Sequence, residues 1–426
     1  MTNSESAAPL PEQAGDAEQP TSRLTIGRIL FIALIVGLFA VVWLASYSQL
    51  NSLIWDNYFV SHTRLMIPIG VMFFSLLVGL VGKTMHAPNM IEGSPVEAMA
   101  AGDTTGYKSF WGALLSSFFS LVSGASVGPE GPLGVLAVYI SEWLSVKLKL
   151  AKNAFIPASL AGMSSAYNGL IGNPLFAALF ASEISGGKGG LPMVASNLAA
   201  GAVGYLLFTL LNVPPFAGFL FEGEPVTLNM QMVLWAIILG AIGGAVAVYI
   251  GAAMRVVGGL MARFAGRFML RVLVAGGIVS VVCYFIPNLM FSGEDTIHAI
   301  IGNAAQVGIP MLLLMAMLKP LLLAISFKGG FLGGPIFPSL FSATMLALAV
   351  GLLFPNVPIE ILVACAGAGV TTLVLKAPLT SILLMTVLAR ADANLMGLIV
   401  VAVVAAMILG MGFQRLTEQR KAAQAA

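Results

Sequence analysis

The chain has 426 residues, 58% of them hydrophobic and only 9% charged, with a mean hydropathy of +0.96. No soluble fold of this length can hide so much apolar side chain, so the composition excludes a soluble protein and implies a polytopic, all-α membrane protein. A net charge of +2 gives no case for nucleic acid, and Cys283 and Cys365, each inside an apolar run, read as buried free thiols rather than a disulfide or metal pair.

Residues 1–23 are polar and rich in Pro, Glu, Gln and Ser, and are expected to form a disordered cytoplasmic tail. Arg23 and Arg28 flank the start of a first span, Ile26–Leu50, and Lys83 follows a second, Leu65–Val81. Basic residues collect on the cytoplasmic side, so this pattern puts the N-terminus inside. The stretch His86–Pro95 is too polar for lipid and too rich in turn formers for a helix interior. Tyr107–Val122 is apolar, and Lys147, Lys149 and Lys152 form a basic rim further on. Phe155–Asn168 and Leu175–Ile184 are shorter than the ~20 residues a span requires, so they read as half-helices or steeply tilted pieces.

Leu191–Leu211 spans again. Residues 212–226 carry Glu222 and Glu224 and no base, which places this linker outside. Met230–Ile250 leads inward to Arg255, Arg263, Arg267 and Arg271, the strongest positive-inside signal of the chain. Val272–Ile286 returns outward. Further apolar pieces follow at Pro310–Ser326, Ser339–Phe354, Ile359–Leu375, Leu379–Leu388 and Leu395–Phe413, and Arg415, Arg420 and Lys421 place the tail at 414–426 inside.

The segment that carries chemistry is Gly128-Pro129-Glu130-Gly131-Pro132, between two apolar runs. A carboxylate at membrane depth costs several kcal/mol unless it is compensated, and is a functional candidate by default. The compensation is local. Pro132 suits the first turn of a helix, and the glycines let the preceding backbone turn and expose its amides. Glu130 therefore sits at the positive end of a helix dipole, where an anion would also bind. The carboxylate and a permeating anion are expected to compete for one site.

An internal repeat frames this motif. Gly128-Pro129-Glu130-Gly131-Pro132 aligns with Gly334-Pro335-Ile336-Phe337-Pro338 at an offset of 206 (128 to 334), and Asn173-Pro174-Leu175 with Ala377-Pro378-Leu379 at 204 (174 to 378). Gly/Pro-interrupted segments at matching places in two halves point to a transporter site at the repeat interface. Residues 24–211 and 227–413 are thus expected to form two inverted membrane repeats.

At these residues the chain resembles the CLC family of chloride channels and proton-coupled chloride transporters, and within it a divergent bacterial branch of ion-transport proteins. GPEGP is similar to the family's GREGP, and GGPIFPSLF to its GGxFxP; the resemblance covers roughly Ile26–Phe413. It implies a CLC-like fold in the cell membrane, a homodimer, and chloride or another small anion as the transported species. It also implies that Glu130 is the gate, swinging out of an anion site on protonation, with Gly128, Pro129, Gly131, Ile336 and Phe337 lining that site. Asn89 or Ser94 would replace the family's serine ligand. Pro129 stands where the family has arginine, and Pro335 removes one backbone donor. The family's proton-route acid falls on Ile184, leaving the adjacent Glu183 as a structural hydrogen-bonding group or, alternatively, part of a proton pathway.

His62, His86 and His298 are scattered, so neither a metal site nor any other cofactor is expected. Lys319, Lys328 and Lys376 would form an electrostatic funnel or simply snorkel to the boundary. A cation-coupled transporter of a small solute is the rival reading, since such proteins also use broken helices. No Ser/His or paired-Asp constellation appears, so an enzyme is not expected.

Overall fold

In the computed structural model, which describes residues 23–55, 63–91, 95–186 and 190–425, helices carry most of the chain. The first half holds α1 (Arg23–Ile54), α2 (Met66–Met85), α3 (Pro95–Ala100), α4 (Phe110–Val122) and α5 (Glu130–Lys147). It continues through α6 (Phe155–Ala166), α7 (Asn168–Ile171), α8 (Pro174–Ile184) and α9 (Gly190–Leu210). The second half holds α10 (Met230–Met261), α11 (Phe268–Phe285), α12 (Glu294–Ile301), α13 (Ala304–Val307) and α14 (Ile309–Gly329). It ends with α15 (Ile336–Leu353), α16 (Ile359–Leu375), α17 (Pro378–Leu388) and α18 (Ala393–Ala425). Eight helices among the described residues are long and apolar enough to cross a membrane, and the protein is a multi-pass membrane protein.

The halves keep step. The starts of α5 and α15 are 206 apart in numbering (130 and 336), those of α6 and α16 are 204 apart (155 and 359), and those of α8 and α17 are 204 apart (174 and 378). The breaks follow from local chemistry. Gly172 ends α7 in the left-handed region at φ 68°, and Pro174 opens α8 where a missing amide costs nothing. The Asn173 side chain caps that start by accepting from the Phe176 N–H at 2.9 Å.

Two of the shorter helices, α6 and α16, lie innermost. Pro157–Ala166 in α6 and Ile361–Thr372 in α16 are buried without interruption. A helix that is apolar all round has no lipid-versus-core stripe to display and belongs inside. The longer α1, α10 and α18 expose large apolar side chains such as Val42, Leu234 and Ile408. Small residues permit the close crossings: a Cβ on Gly240 would overlap the Ala402 backbone, and one on Gly369 the Gly240 carbonyl.

The expected tail at 414–426 is a continuation of α18 as far as Ala425. Pro95, expected in the irregular stretch, is the first residue of α3. Of the expected tail at 1–23, Arg23 is instead the first residue of α1, and residues 1–22 fall outside the described residues, as do His62 and Ser94. Cys283 and Cys365 are buried free thiols.

Candidate functional site

The two motifs of the repeat meet in the middle of the molecule. The chain breaks between α4 and α5 and again between α14 and α15, and the two breaks pair antiparallel. Gly128 N–H donates to Gly334 O at 2.9 Å, and Gly334 N–H donates back to Gly128 O at 2.8 Å. Flanking serines tie the breaks further: Ser126 N–H donates to Ser326 Oγ at 3.2 Å and Leu332 N–H to Ser120 Oγ at 3.0 Å. Gly131 allows this approach, since a Cβ there would collide with the Gly333 carbonyl.

The pairing puts the N-terminus of α15 over the first residue of α5. Ile336 N–H donates to Glu130 Oε1 at 2.5 Å, and the Phe337 amide also acts on this carboxylate. Glu130 Oε2 has no hydrogen-bond partner among the described residues. Glu130 is 3% exposed, and among the described residues the one ion pair is Arg390–Glu222, far along the sequence from either motif. The carboxylate is therefore held by neutral peptide dipoles and by no cation. Such a site binds a negative group without trapping it, because partial charges release what a full buried cation would keep. Tyr167 fixes the start of α5, its hydroxyl donating to Glu130 O at 3.1 Å while its ring packs on Phe180 at 4.9 Å.

Six residues singled out from the sequence converge here: Gly128, Pro129, Glu130, Gly131, Ile336 and Phe337. Pro129 and Pro335 precede the two helix starts and contribute no amide. Asn89 does not join them by any hydrogen bond; its Oδ1 accepts from Ile91 N–H at 3.0 Å within its own turn. Glu183 lies at a second junction of the halves. It accepts from Leu379 N–H at 3.1 Å, Thr380 N–H at 2.7 Å and the Thr380 hydroxyl at 2.5 Å, capping the start of α17. Lys319 is fully buried, and its ammonium donates to Leu289, Met290 and Phe291 carbonyls at 3.0, 3.2 and 2.7 Å, whereas Lys376 is exposed. Lys319, spent on these carbonyls, is no part of the expected funnel; Lys328 is partly exposed.

Other groups escaped the sequence reading. Glu142 is a second buried acid in the apolar run after the motif, 1% exposed and accepting from Tyr107 N–H at 3.1 Å. Glu294 is buried at the start of α12 and accepts from the Ser292 hydroxyl. Tyr47 approaches from α1: its ring meets Phe216 at 6.1 Å, and Phe216 meets Phe337 at 5.5 Å. The signal for Glu142 was plain in principle, an acid within an apolar run; Glu294, in a polar stretch, and Tyr47 offered none.

A family profile described as "Voltage gated chloride channel" matches residues 74–410. The chain belongs to this family. Among curated CLC relatives, "Putative ion-transport protein YfeO" of Escherichia coli is 29% identical over 274 residues, 62% of this chain. The match spans 63% of that relative's length. Among solved CLC structures, a slow cyanobacterial Cl−/H+ antiporter superposes with TM-score 0.78 at 19% identity, covering 95% of this chain and 100% of that one. A CLC-type fluoride/proton antiporter superposes with TM-score 0.68 at 18% identity, covering 91% and 96%. At those identities the likeness establishes the CLC fold alone. The all-α architecture of tilted and broken helices is the one expected from the sequence.

Proposed function

We propose that the protein passes a small anion, chloride first, across the cell membrane along a path through the junction of α5 and α15, and that protonation of Glu130 opens it. The observation that carries this reading is the hydrogen bond from Ile336 N–H to Glu130 Oε1 at the start of a helix. A hydrogen bond to an ionised acceptor is roughly twice as strong as a neutral one. Ionised, Glu130 occupies the dipole site. Protonated, it loses most of its hold on the amides, and an anion takes its place. Gly128, Pro129, Gly131 and Phe337 line that place by backbone or ring; Asn89 and Ser94 remain candidate anion ligands by the family resemblance alone.

The halves, 24–211 and 227–413, act as inverted repeats around this point, joined by an extracellular linker at 212–226. Exposed Arg255, Arg263 and Arg267 at the inner end of α10 support cytoplasmic termini. Family membership supports a homodimer. Glu183 is spent on capping α17 and is followed by apolar Ile184, which favours anion passage with loose or absent proton coupling.

The test is chloride efflux from liposomes holding the purified protein, measured across pH. E130Q and E130A should conduct with flux insensitive to pH. Wild-type pH dependence in either variant overturns the assignment, and flux that needs sodium but not chloride favours the cation-coupled rival.

A further inference from the structure

Where α1 ends, the segments 212–216 and 291–295 enclose a cavity of about 560 Å³. Its described lining includes Tyr47, Asn51, Phe216, Glu294 and Asp295: two carboxylates, and no Lys, Arg or His. This is a poor mouth for an anion and a good one for a proton. On the proposed topology the cavity opens outward.

The two acids differ. Asp295 is exposed, whereas Glu294 is 9% exposed and bound by the Ser292 hydroxyl. Lys319 is the cation whose charge reaches Glu294, but its three hydrogen bonds go to the carbonyls of residues 289–291, so it forms no pair with it. The α12 helix is too short to span, and burial there pushes Glu294 up to about 7 against the pull of Ser292 and Lys319, with Asp295 adding to the rise. An acid so poised exchanges protons near neutral pH.

The cavity is tied to the gate. Phe291 N–H donates to Gly124 O at 3.2 Å, just ahead of the Glu130 motif. Trp55 donates its indole N–H to Val122 O at 2.8 Å and packs edge-on against Phe291 at 5.4 Å. From the cavity wall a ring series runs toward the gate: Tyr47 and Phe216 line the cavity, and Phe216 meets Phe337, whose amide acts on Glu130. The one polar group in that series is the Tyr47 hydroxyl. Tyr47 is 3% exposed and lines the cavity, and the charges of Glu294, Asp295 and Glu130 all act on it. Glu130 Oε2 has no hydrogen-bond partner among the described residues.

We infer that Glu294 is the outer proton acceptor for the gate, taking protons from the cavity and passing them through the Tyr47 hydroxyl to Glu130. The transfer balances. The Glu294 carboxyl proton moves to the Tyr47 oxygen, directly or through cavity water, as the Tyr47 proton moves to Glu130 Oε2. Cavity water then reprotonates Glu294. The inference rests on Glu130 being the gate, and adds the route by which one face of the membrane addresses it.

The experiment uses the full chain in liposomes of one orientation, with a rapid acid jump applied to either face and chloride flux followed in time. In E294Q, and independently in Y47F, the response to an outer jump should slow about tenfold relative to the same variant's response to an inner jump. Wild type sets the reference ratio. An unchanged ratio overturns the inference, and so does equal slowing from both faces, which marks a structural defect. Should E294Q fail to fold, Y47F alone decides. If E130Q keeps its pH dependence, the gate assignment itself has failed; if E130Q loses it while both ratios stay at the wild-type value, only the outer route has failed.

Discussion

The Cα of Gly334 lies flat against the Glu130 side chain: a Cβ built on Gly334 would overlap the Glu130 Cγ and Cδ. Gly334 does not have a positive φ, so its backbone tolerates alanine and the crowding falls on the flexible carboxylate. G334A should therefore push Glu130 off the Ile336 amide. Chloride efflux at neutral pH should rise toward the level of E130A, with a flattened pH profile. G131A is the contrasting variant. Its Cβ would meet the Gly333 carbonyl and the Gly334 amide, which are backbone and cannot turn aside. It should cost about 1–3 kcal/mol, as overpacking does, and lower the unfolding temperature in detergent. Flux in G334A with an unaltered pH profile would show that the carboxylate finds the amide from another rotamer.

Glu183 separates a structural from a proton-carrying role. Its oxygens hold two amides and a hydroxyl at the start of α17, from the other half of the chain. E183A should cost about 1–2 kcal/mol, the usual loss on removing a helix cap. E183Q keeps one acceptor oxygen and should cost less. Thermal unfolding in detergent reads both. Chloride-driven proton movement that is present in wild type and lost in a stably folded E183Q would instead assign Glu183 to a proton route.

Lys319 is buried with every ammonium proton given to a carbonyl of residues 289–291 and with its charge 4.9 Å from the Phe341 ring centroid. K319M keeps the length of the side chain and removes all three donors. Stranded buried carbonyls cost about 1–3 kcal/mol each where water cannot replace the donor, partly offset here by no longer burying a charge. The turn that carries Ser292 and Glu294 should loosen. Amide exchange over residues 289–294 should speed up in K319M while exchange in α16 stays slow; no local change would mean the lysine is held by the turn rather than holding it.

Much of this was legible in the sequence because broken helices leave strong local marks. Pro132, Pro174, Pro338 and Pro378 each stand within the first three residues of a helix, and the recurrence of two such starts at offsets of 206 and 204 exposed the halves. Glu130 stood out because a lone acid at a helix start inside apolar sequence has few other uses. What the sequence withheld was contact across the repeat. Nothing in the local pattern says that Gly128 pairs with Gly334, that Glu183 caps a helix almost two hundred residues away, or that Lys319 is spent on carbonyls. Those partners are set by tertiary packing, not by periodicity. Glu294 stands in a polar stretch, Ser292-Gly293-Glu294-Asp295, and nothing local marks it as buried; the fold, with Gly293 at φ 98° just before α12, buries it.

The crossing of α10 with α16 offers a test of how the second half is held together. Gly243 lies so close to α16 that a Cβ would overlap the Ala366 carbonyl and stand 2.7 Å from Val370 N. Lipid tails are as apolar as the side chains they meet, so such helices associate by close packing rather than by hiding apolar surface from water. G243V should force α10 outward and cost about 1–3 kcal/mol or more, since the obstructing atoms are backbone. Gly251, two turns on, is exposed with nothing within 4 Å of its would-be Cβ, so G251V carries the same change in helix propensity without the clash. Thermal unfolding in detergent should show G243V melting well below wild type and G251V close to it. Equal melting of the two variants would mean that α10 can slide along α16 without loss, and that the small-residue seam is not what fixes the distance between the helices.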